Sequence, residues 1–268
     1  MTTELAVLVI HGMGSQSPDF ADEMIDELNG QVSDIGKDAG AIAWRTIYWA
    51  DILEGRQLKY LRDAKRSGDI DFVSLRKFIL TSIGDASAYQ KVESGENTVY
   101  KEIHLRVSAA IQDIYVSDLG SQPKPMIVLA HSLGGHIMSN YIWDKQHSTG
   151  TQLSGFERMK HLVGFVTFGC NIPLFTFAYQ KVVPIAFPPP KLPTHLKKKA
   201  KWLNFYDPDD VLGYPLKAIN PDYRKVVSKD IPINVGGILS SWNPMSHTKY
   251  WTDNDLTKPV SKFISKFL

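Results

Sequence analysis

The sequence predicts an α/β fold with a mainly parallel sheet of about six strands and helices on both faces. Two observations carry this. Short apolar runs recur along the chain, as expected for strands buried on both sides. Longer segments with apolar residues every three or four positions lie between them, and the two kinds alternate.

The first run, Leu5-Ala-Val-Leu-Val-Ile10, ends at His11-Gly12 and reads as a central strand. It is too short to span a membrane and lacks the basic stretch and cleavage site of a signal peptide. Residues 18–35 read as a helix, with Pro18 near the start and Phe20, Met24, Ile25, Leu28 and Val32 at helical spacing. Residues 41–49 read as a second strand. From 52 to 119 the pattern is mostly helical, through Leu58, Leu61, Phe72, Leu75, Phe78, Ile79 and Ile83. A further helix over 99–116 carries Ile103, Val107, Ala110, Ile111 and Ile114 on one face. Strand signals return at 126–130, 162–168, 201–206 and 226–233, and residues 260–268 end the chain as a helix. No repeat or boundary divides the 268 residues, so a single domain over 1–268 with a helical insertion around 52–119 is expected.

With 43% hydrophobic and 22% charged residues the chain can bury a sizeable core. A net charge of +2 gives no footing for nucleic acid. Cys170 is the only cysteine, so no intrachain disulfide can form and a reducing, cytoplasmic setting is expected. No metal-ligand spacing and no phosphate loop occur, so neither a metal nor a cofactor is expected.

Chemistry concentrates at Ile127-Val-Leu-Ala-His-Ser132-Leu-Gly134-Gly135. An apolar strand turns there into a helix-compatible segment with a serine at the apex, and small residues, Ala130 and Gly134, stand two positions to either side. That is the form of a nucleophile elbow. A serine hydroxyl is a poor nucleophile without a base and an oxyanion hole. His11-Gly-Met-Gly14 follows the first strand, and the amide of Met13 can pair with that of Leu133 as oxyanion donors. Of eight histidines, His247 lies late in the chain after the last strand, where the base is expected. His11 and His131 read as buttresses within the motifs, while His136 faces the helix body. For the acid, Asn204-Phe-Tyr-Asp207-Pro-Asp209-Asp210-Val211 offers three carboxylates. Motif register puts Asp210 first and Asp207 second, with Asp209 a turn residue.

These motifs together resemble those of α/β-hydrolases of the lipase and esterase kind: His11 to Gly14, Ala130 to Gly135, Asp210-Val211 and His247-Thr-Lys-Tyr250-Trp251. The order serine, acid, histidine is that of this fold. Phe168-Gly-Cys-Asn-Ile-Pro-Leu174 is similar to a Gly-Ser-Pro-Leu turn of many lipases, and Ile83-Gly-Asp85-Ala-Ser-Ala-Tyr89 is faintly similar to a segment of intracellular DDHD-type phospholipases. The resemblance implies a cofactor-free serine hydrolase acting on a small-molecule or lipid ester through an acyl-enzyme. Ser132 is then nucleophile, His247 base, Asp210 its orienting acid, and Met13 and Leu133 the oxyanion donors. A thioesterase, amidase or acyltransferase uses the same triad, and a silent hydrolase fold used for binding is the alternative outside the enzymes. Membrane contact and oligomeric state are left open. The oxyanion strand is the first here, where many family members have two strands before it, so the sheet is expected to be a reduced one. Pro184-Ile-Ala-Phe-Pro-Pro-Pro-Lys-Leu-Pro193 must be irregular. It is expected near the active-site rim, as part of an acyl pocket or lid or as a surface connection. Phe175, Phe177, Tyr179, Ile185 and Phe187 cluster around it, and Trp242 and Trp251 flank His247. Lys197, Lys198, Lys199 and Lys201 read as a solvated run, and Cys170 as a small buried residue.

Overall fold

Six parallel strands form one sheet in the order β2-β1-β3-β4-β5-β6, the number of strands expected from the sequence. The computed structural model describes residues 2–68, 71–90, 98–149, 153–236 and 244–268. The strands are β1 (Leu5–Ile10), β2 (Ile42–Ile47), β3 (Met126–His131), β4 (Leu162–Phe168), β5 (Lys201–Tyr206) and β6 (Lys229–Pro232). Every residue of β1, β3 and β4 is buried, which is why these segments are apolar throughout rather than alternating. Register is continuous across β2, β1 and β3, with Val7 beside Trp44 on one side and Ile127 on the other, and shifts between Met126 and Ile127 where β3 meets β4.

Helices cover both faces. On one, α1 (Asp22–Asp34) packs against α9 (Asn254–Ile264), and Met24, Leu28, Leu256 and Val260 meet Leu129, Val166 and Phe168 of the sheet. On the other lie α4 (Thr98–Asp113), against β2, and α5 (Leu133–His147), against β3. Ile103, Val107 and Ile111 form the buried stripe of α4, so the last helix of the 52–119 region belongs to the sheet layer. Two more helices precede it, α2 (Asp51–Ser67) and α3 (Val73–Ala88), packed on each other. Three short ones, α6 (Ile172–Thr176), α7 (Thr194–Lys199) and α8 (Pro221–Val226), lie in the later connections. Among the described residues no helix is long and apolar enough to cross a membrane.

Several boundaries depart from the sequence reading for local reasons. Residues 18–21 form turns rather than helix, and α1 starts at Asp22. β2 begins at Ile42 because Asp38 caps a 3₁₀ turn over Ala39–Ala41. The expected strand over 226–233 shortens because Asn220 caps α8 and Pro221 occupies its first position, carrying the helix through Val226. The final helix starts before 260, at Asn254 behind the Asp253 cap, and carries Pro259 inside it.

Among the described side chains of α3 the expected apolar face is not the buried one; Leu75 and Phe78 lie outside them. Phe72 at its N-cap, Ile79 and Ile83 are exposed, at 76%, 45% and 61%, while Thr81, Ser82 and Asp85 are buried. A helix that turns polar groups inward needs partners for them there.

Candidate active site

The elbow is a strand-to-helix turn at Ser132, the residue between β3 and α5, with φ 52° and ψ −123°. A non-glycine residue there is strained, and the surrounding packing holds it. The Ser132 amide donates to the Phe168 carbonyl of β4 at 2.9 Å. A side chain at 134 would sit 2.5 Å from the His11 carbonyl oxygen, and one at 135 would sit 2.7 Å from Cys170 Sγ. Both positions are therefore glycine for lack of space, and the Cys170 thiol, pushed up to about 12 by burial, is inert filling.

Ser132, His247 and Asp210 are brought together from three connections of the sheet. Ser132 Oγ lies 2.7 Å from His247 Nε2, and His247 Nδ1 lies 2.8 Å from Asp210 Oδ2. Asp210 ionised is acceptor-only, so Nδ1–H donates to it and leaves the Nε2 lone pair facing the serine hydroxyl. All three residues are buried. Burial alone would raise the Asp210 carboxyl, but the His247 bond and charge, the Leu212 amide at 2.9 Å and the Tyr250 hydroxyl at 2.9 Å outweigh it and hold it below its ordinary value.

Asp207 is placed differently. Its carboxylate accepts the amides of Asp209 and Val235, each at 2.8 Å, which makes it a cap for the acid loop. Tyr250 links the two carboxylate positions, since its hydroxyl donates to Asp210 and accepts the Asp207 amide at 2.9 Å. Close approach around them requires glycine. A side chain at 213 would sit 2.7 Å from Asp210 Oδ2, and Gly169, at φ +54°, faces Tyr250 and His247.

The two buttressing histidines have definite tautomers. His131 Nε2–H donates to the His247 carbonyl oxygen at 2.7 Å, fixing the His247 backbone, and burial lowers the His131 pKa to about 3. His11 Nε2 accepts the Trp49 amide at 3.0 Å, so its Nδ1–H donates to the Gly12 carbonyl oxygen at 2.7 Å. The Trp49 ring stacks on it at 4.9 Å, and burial lowers the His11 pKa to about 4. Both rings are neutral near pH 7.

The loop after β1 lies directly on the elbow. A side chain at Gly12 would come within 2.6 Å of Ser132 Cβ and 3.1 Å of its Oγ. The next amide, Met13 N–H, shares a peptide plane with the Gly12 carbonyl that His11 holds, and so points away from His11. The Leu133 amide opens α5, where the first-turn N–H groups lack intrahelical partners and the helix dipole favours negative charge.

The apolar cluster after β4 divides between the groove beside α5 and other surroundings. Phe175 stacks on His136 at 4.1 Å, one helical turn from Ser132, whereas Phe177 and Tyr179 are exposed. A groove of about 320 Å³ runs beside α5, lined among others by His136, Trp143, Phe175, Tyr179 and Ile185. The proline-rich segment lies at the far end of α5: Gln146 exchanges two 2.9 Å bonds with the Ala186 backbone. That is roughly 20 Å along the helix from Ser132 at 1.5 Å per residue, away from the rim where it was expected. Phe187 packs edge-on against Trp202. Trp251 packs edge-on against Phe20 and Phe168, and Trp242 lies outside the described residues. Lys197 and Lys199 donate to the carbonyls of Pro190 and Lys266.

Among solved structures, the chain is similar to Est1E from Butyrivibrio proteoclasticus, at 10% identity and a TM-score of 0.44. That match covers 99% of this chain and 88% of the other. It is also similar to a lipase-esterase related protein from Clostridium acetobutylicum, at 11% identity and a TM-score of 0.41, covering 99% and 95%. No protein-family model matches the sequence, and no curated protein matches it.

Proposed function

We propose that the protein is a serine hydrolase that cleaves a carboxylic ester through an acyl-enzyme. The observation that carries this reading is the continuous hydrogen-bond chain from Ser132 Oγ through His247 to Asp210, set at a strained strand–helix apex. Ser132 Oγ attacks the ester carbonyl as its proton passes to His247 Nε2, and Asp210 stabilises the resulting imidazolium. Negative charge develops on the carbonyl oxygen, where the Met13 and Leu133 amides receive it. His247 then returns the proton to the alkoxide oxygen as the C–O bond breaks, and the alcohol leaves. Water, deprotonated by the same nitrogen, attacks the acyl-serine; the acyl C–Oγ bond breaks, Nε2 returns the proton to Ser132 Oγ, and the acid is released.

Mixing the protein with a p-nitrophenyl ester tests the reading. A burst of about one nitrophenolate per chain followed by slower turnover is expected, and Ser132→Ala removes both phases. Turnover that survives Ser132→Ala undiminished overturns it.

A further inference from the structure

We propose that Asp85 is a positioning residue for the oxyanion donor on the first loop, clamping the Gly14 amide so that the Met13 amide is presented to the substrate carbonyl; this rests on the ester-hydrolase reading above. Asp85 sits on the buried face of α3, and its Oδ2 accepts the Gly14 N–H at 2.9 Å. Its other oxygen accepts Gln57 Nε2 of α2 at 2.7 Å. Gly84 permits that approach, since a side chain there would meet Gln57 Nε2 at 3.1 Å. Both carboxylate oxygens are thus committed to fixing structure.

The loop needs such a clamp. Gly14 has φ +92°, a conformation that glycine adopts freely, so nothing intrinsic holds the chain there. The Met13 N–H lies in the peptide plane whose carbonyl is held by His11, and the Gly14 N–H lies in the next plane, held by Asp85. Two consecutive planes are therefore pinned, the first by His11, which follows β1, and the second by Asp85 of α3. The donor amide belongs to the first plane, and the pinned second plane holds the Met13 backbone on its other side.

The same helix also leads to α5, the helix that Leu133 opens. Tyr89 stands four residues on, at the end of α3, and is fully buried. Its ring meets His136 of α5 edge-on at 5.7 Å, and its hydroxyl pairs with His104 Nε2 at 2.7 Å. Residues four apart share a helix face. That face joins the loop carrying Met13 to the helix opened by Leu133, which accounts for the polar side of α3 being turned inward. Burial raises the Asp85 carboxyl to about 6, against the Gly14 and Gln57 bonds and with a smaller push from Glu54 of α2. A carboxylate kept where its charge is disfavoured fits a site selected for placement rather than for stability.

Two measurements on the full chain test this. In the first, the rate constant and the amplitude of labelling by a fluorophosphonate are read separately, because misfolding lowers amplitude and misplacement lowers rate. Asp85→Ala is expected to slow labelling on the order of 10²-fold at full amplitude per folded chain, with kcat for a p-nitrophenyl ester falling alike and KM unchanged. Asp85→Asn is expected to recover to within about tenfold, since its amide oxygen still accepts the Gly14 N–H while Gln57 turns its carbonyl to the new NH₂. In the second, hydrogen exchange of the Gly14 amide speeds in Asp85→Ala and returns towards wild type in Asp85→Asn. Wild-type rates in Asp85→Ala, or Asp85→Asn as slow as Asp85→Ala, overturn the proposal while the hydrolase reading stands. Wild-type protein that does not label overturns both. If Asp85→Ala does not fold, Gln57→Ala replaces it, with slower labelling expected and wild-type labelling overturning.

Discussion

Replacing Tyr250 by phenylalanine separates the stability of the acid loop from its chemistry. The ring is fully buried and is retained, so no cavity forms beyond a single oxygen. Two hydrogen bonds vanish with that oxygen, the donation to Asp210 Oδ2 and the acceptance from the Asp207 amide. The stranded Asp207 amide costs about 1–3 kcal/mol, and a bond to an ionised carboxylate contributes roughly 1.5–3 kcal/mol. Because the two share one hydroxyl they do not add in full, and a loss of about 3 kcal/mol at pH 7 is expected. The sign with pH follows from Asp210, whose carboxyl is held below its ordinary value. Its contribution is present above the unfolded value near pH 4 and is lost as pH falls through the lower folded value. The penalty of Tyr250→Phe should therefore shrink in acid to the part due to the Asp207 amide. Catalysis should suffer less than stability. His247 Nδ1 still donates to Asp210 and the Leu212 amide still holds the other oxygen, so kcat falls by no more than about tenfold. Urea unfolding at pH 7 and well below pH 4, with ester turnover measured at pH 7 below the transition, checks both. A variant as stable as wild type at pH 7, or one as inactive as an enzyme without its acid, refutes the reasoning.

Other substitutions divide the site in the same way. Asp210→Asn should lower kcat on the order of 10⁴-fold through the wrong imidazole tautomer, whereas Asp207→Asn should affect mainly unfolding, because its oxygens cap amides; steady-state kinetics on both would show a reversed ranking if the acid were misassigned. Gly12→Ala forces a methyl to within 2.6 Å of Ser132 Cβ, so labelling should slow by about 10²-fold with roughly 1–3 kcal/mol lost in urea titration, and an active, stable variant would contradict the packing. Asp85→Asn should stabilise the fold as its activity declines. Raising the acid from 3.8 to about 6 in the native state costs up to about 3 kcal/mol, growing as pH rises through that window. The variant should then exceed wild type by up to that amount at pH 8 and match it near pH 4, and a pH-independent difference would count against the assignment.

The sheet was legible because its central strands are buried on both faces. Leu5–Ile10 is wholly apolar and Leu162–Phe168 is interrupted only by Thr167, whose hydroxyl donates to Asn204, so their bounds follow from the apolar runs. Boundaries set by caps were harder to read. Asn220 and Pro221 extend α8 into what apolar residues 226–233 suggested as strand. The elbow was legible because its geometry demands small residues at fixed offsets. The acid loop was only partly so. Asp207, Asp209 and Asp210 differ in role through the directions of their side chains, which adjacent sequence positions do not encode. Tyr250 and Asp85 stand in segments the sequence singles out, but they act through hydrogen bonds that reach residues 40 and 71 positions away, and no local pattern announces those partners. The proline-rich segment misled for a related reason. Its composition showed that it could not join the sheet, but its place is set by Gln146 at the end of α5.

The central claim is that Ser132 is an activated nucleophile, and the site of covalent labelling tests it most directly. After reaction with a fluorophosphonate, the intact protein should gain the mass of one phosphonyl group. Peptide mapping should place that group on Ser132, and His247→Ala should suppress it as fully as Ser132→Ala. An adduct on another residue, or wild-type labelling in the His247→Ala protein, would contradict the account.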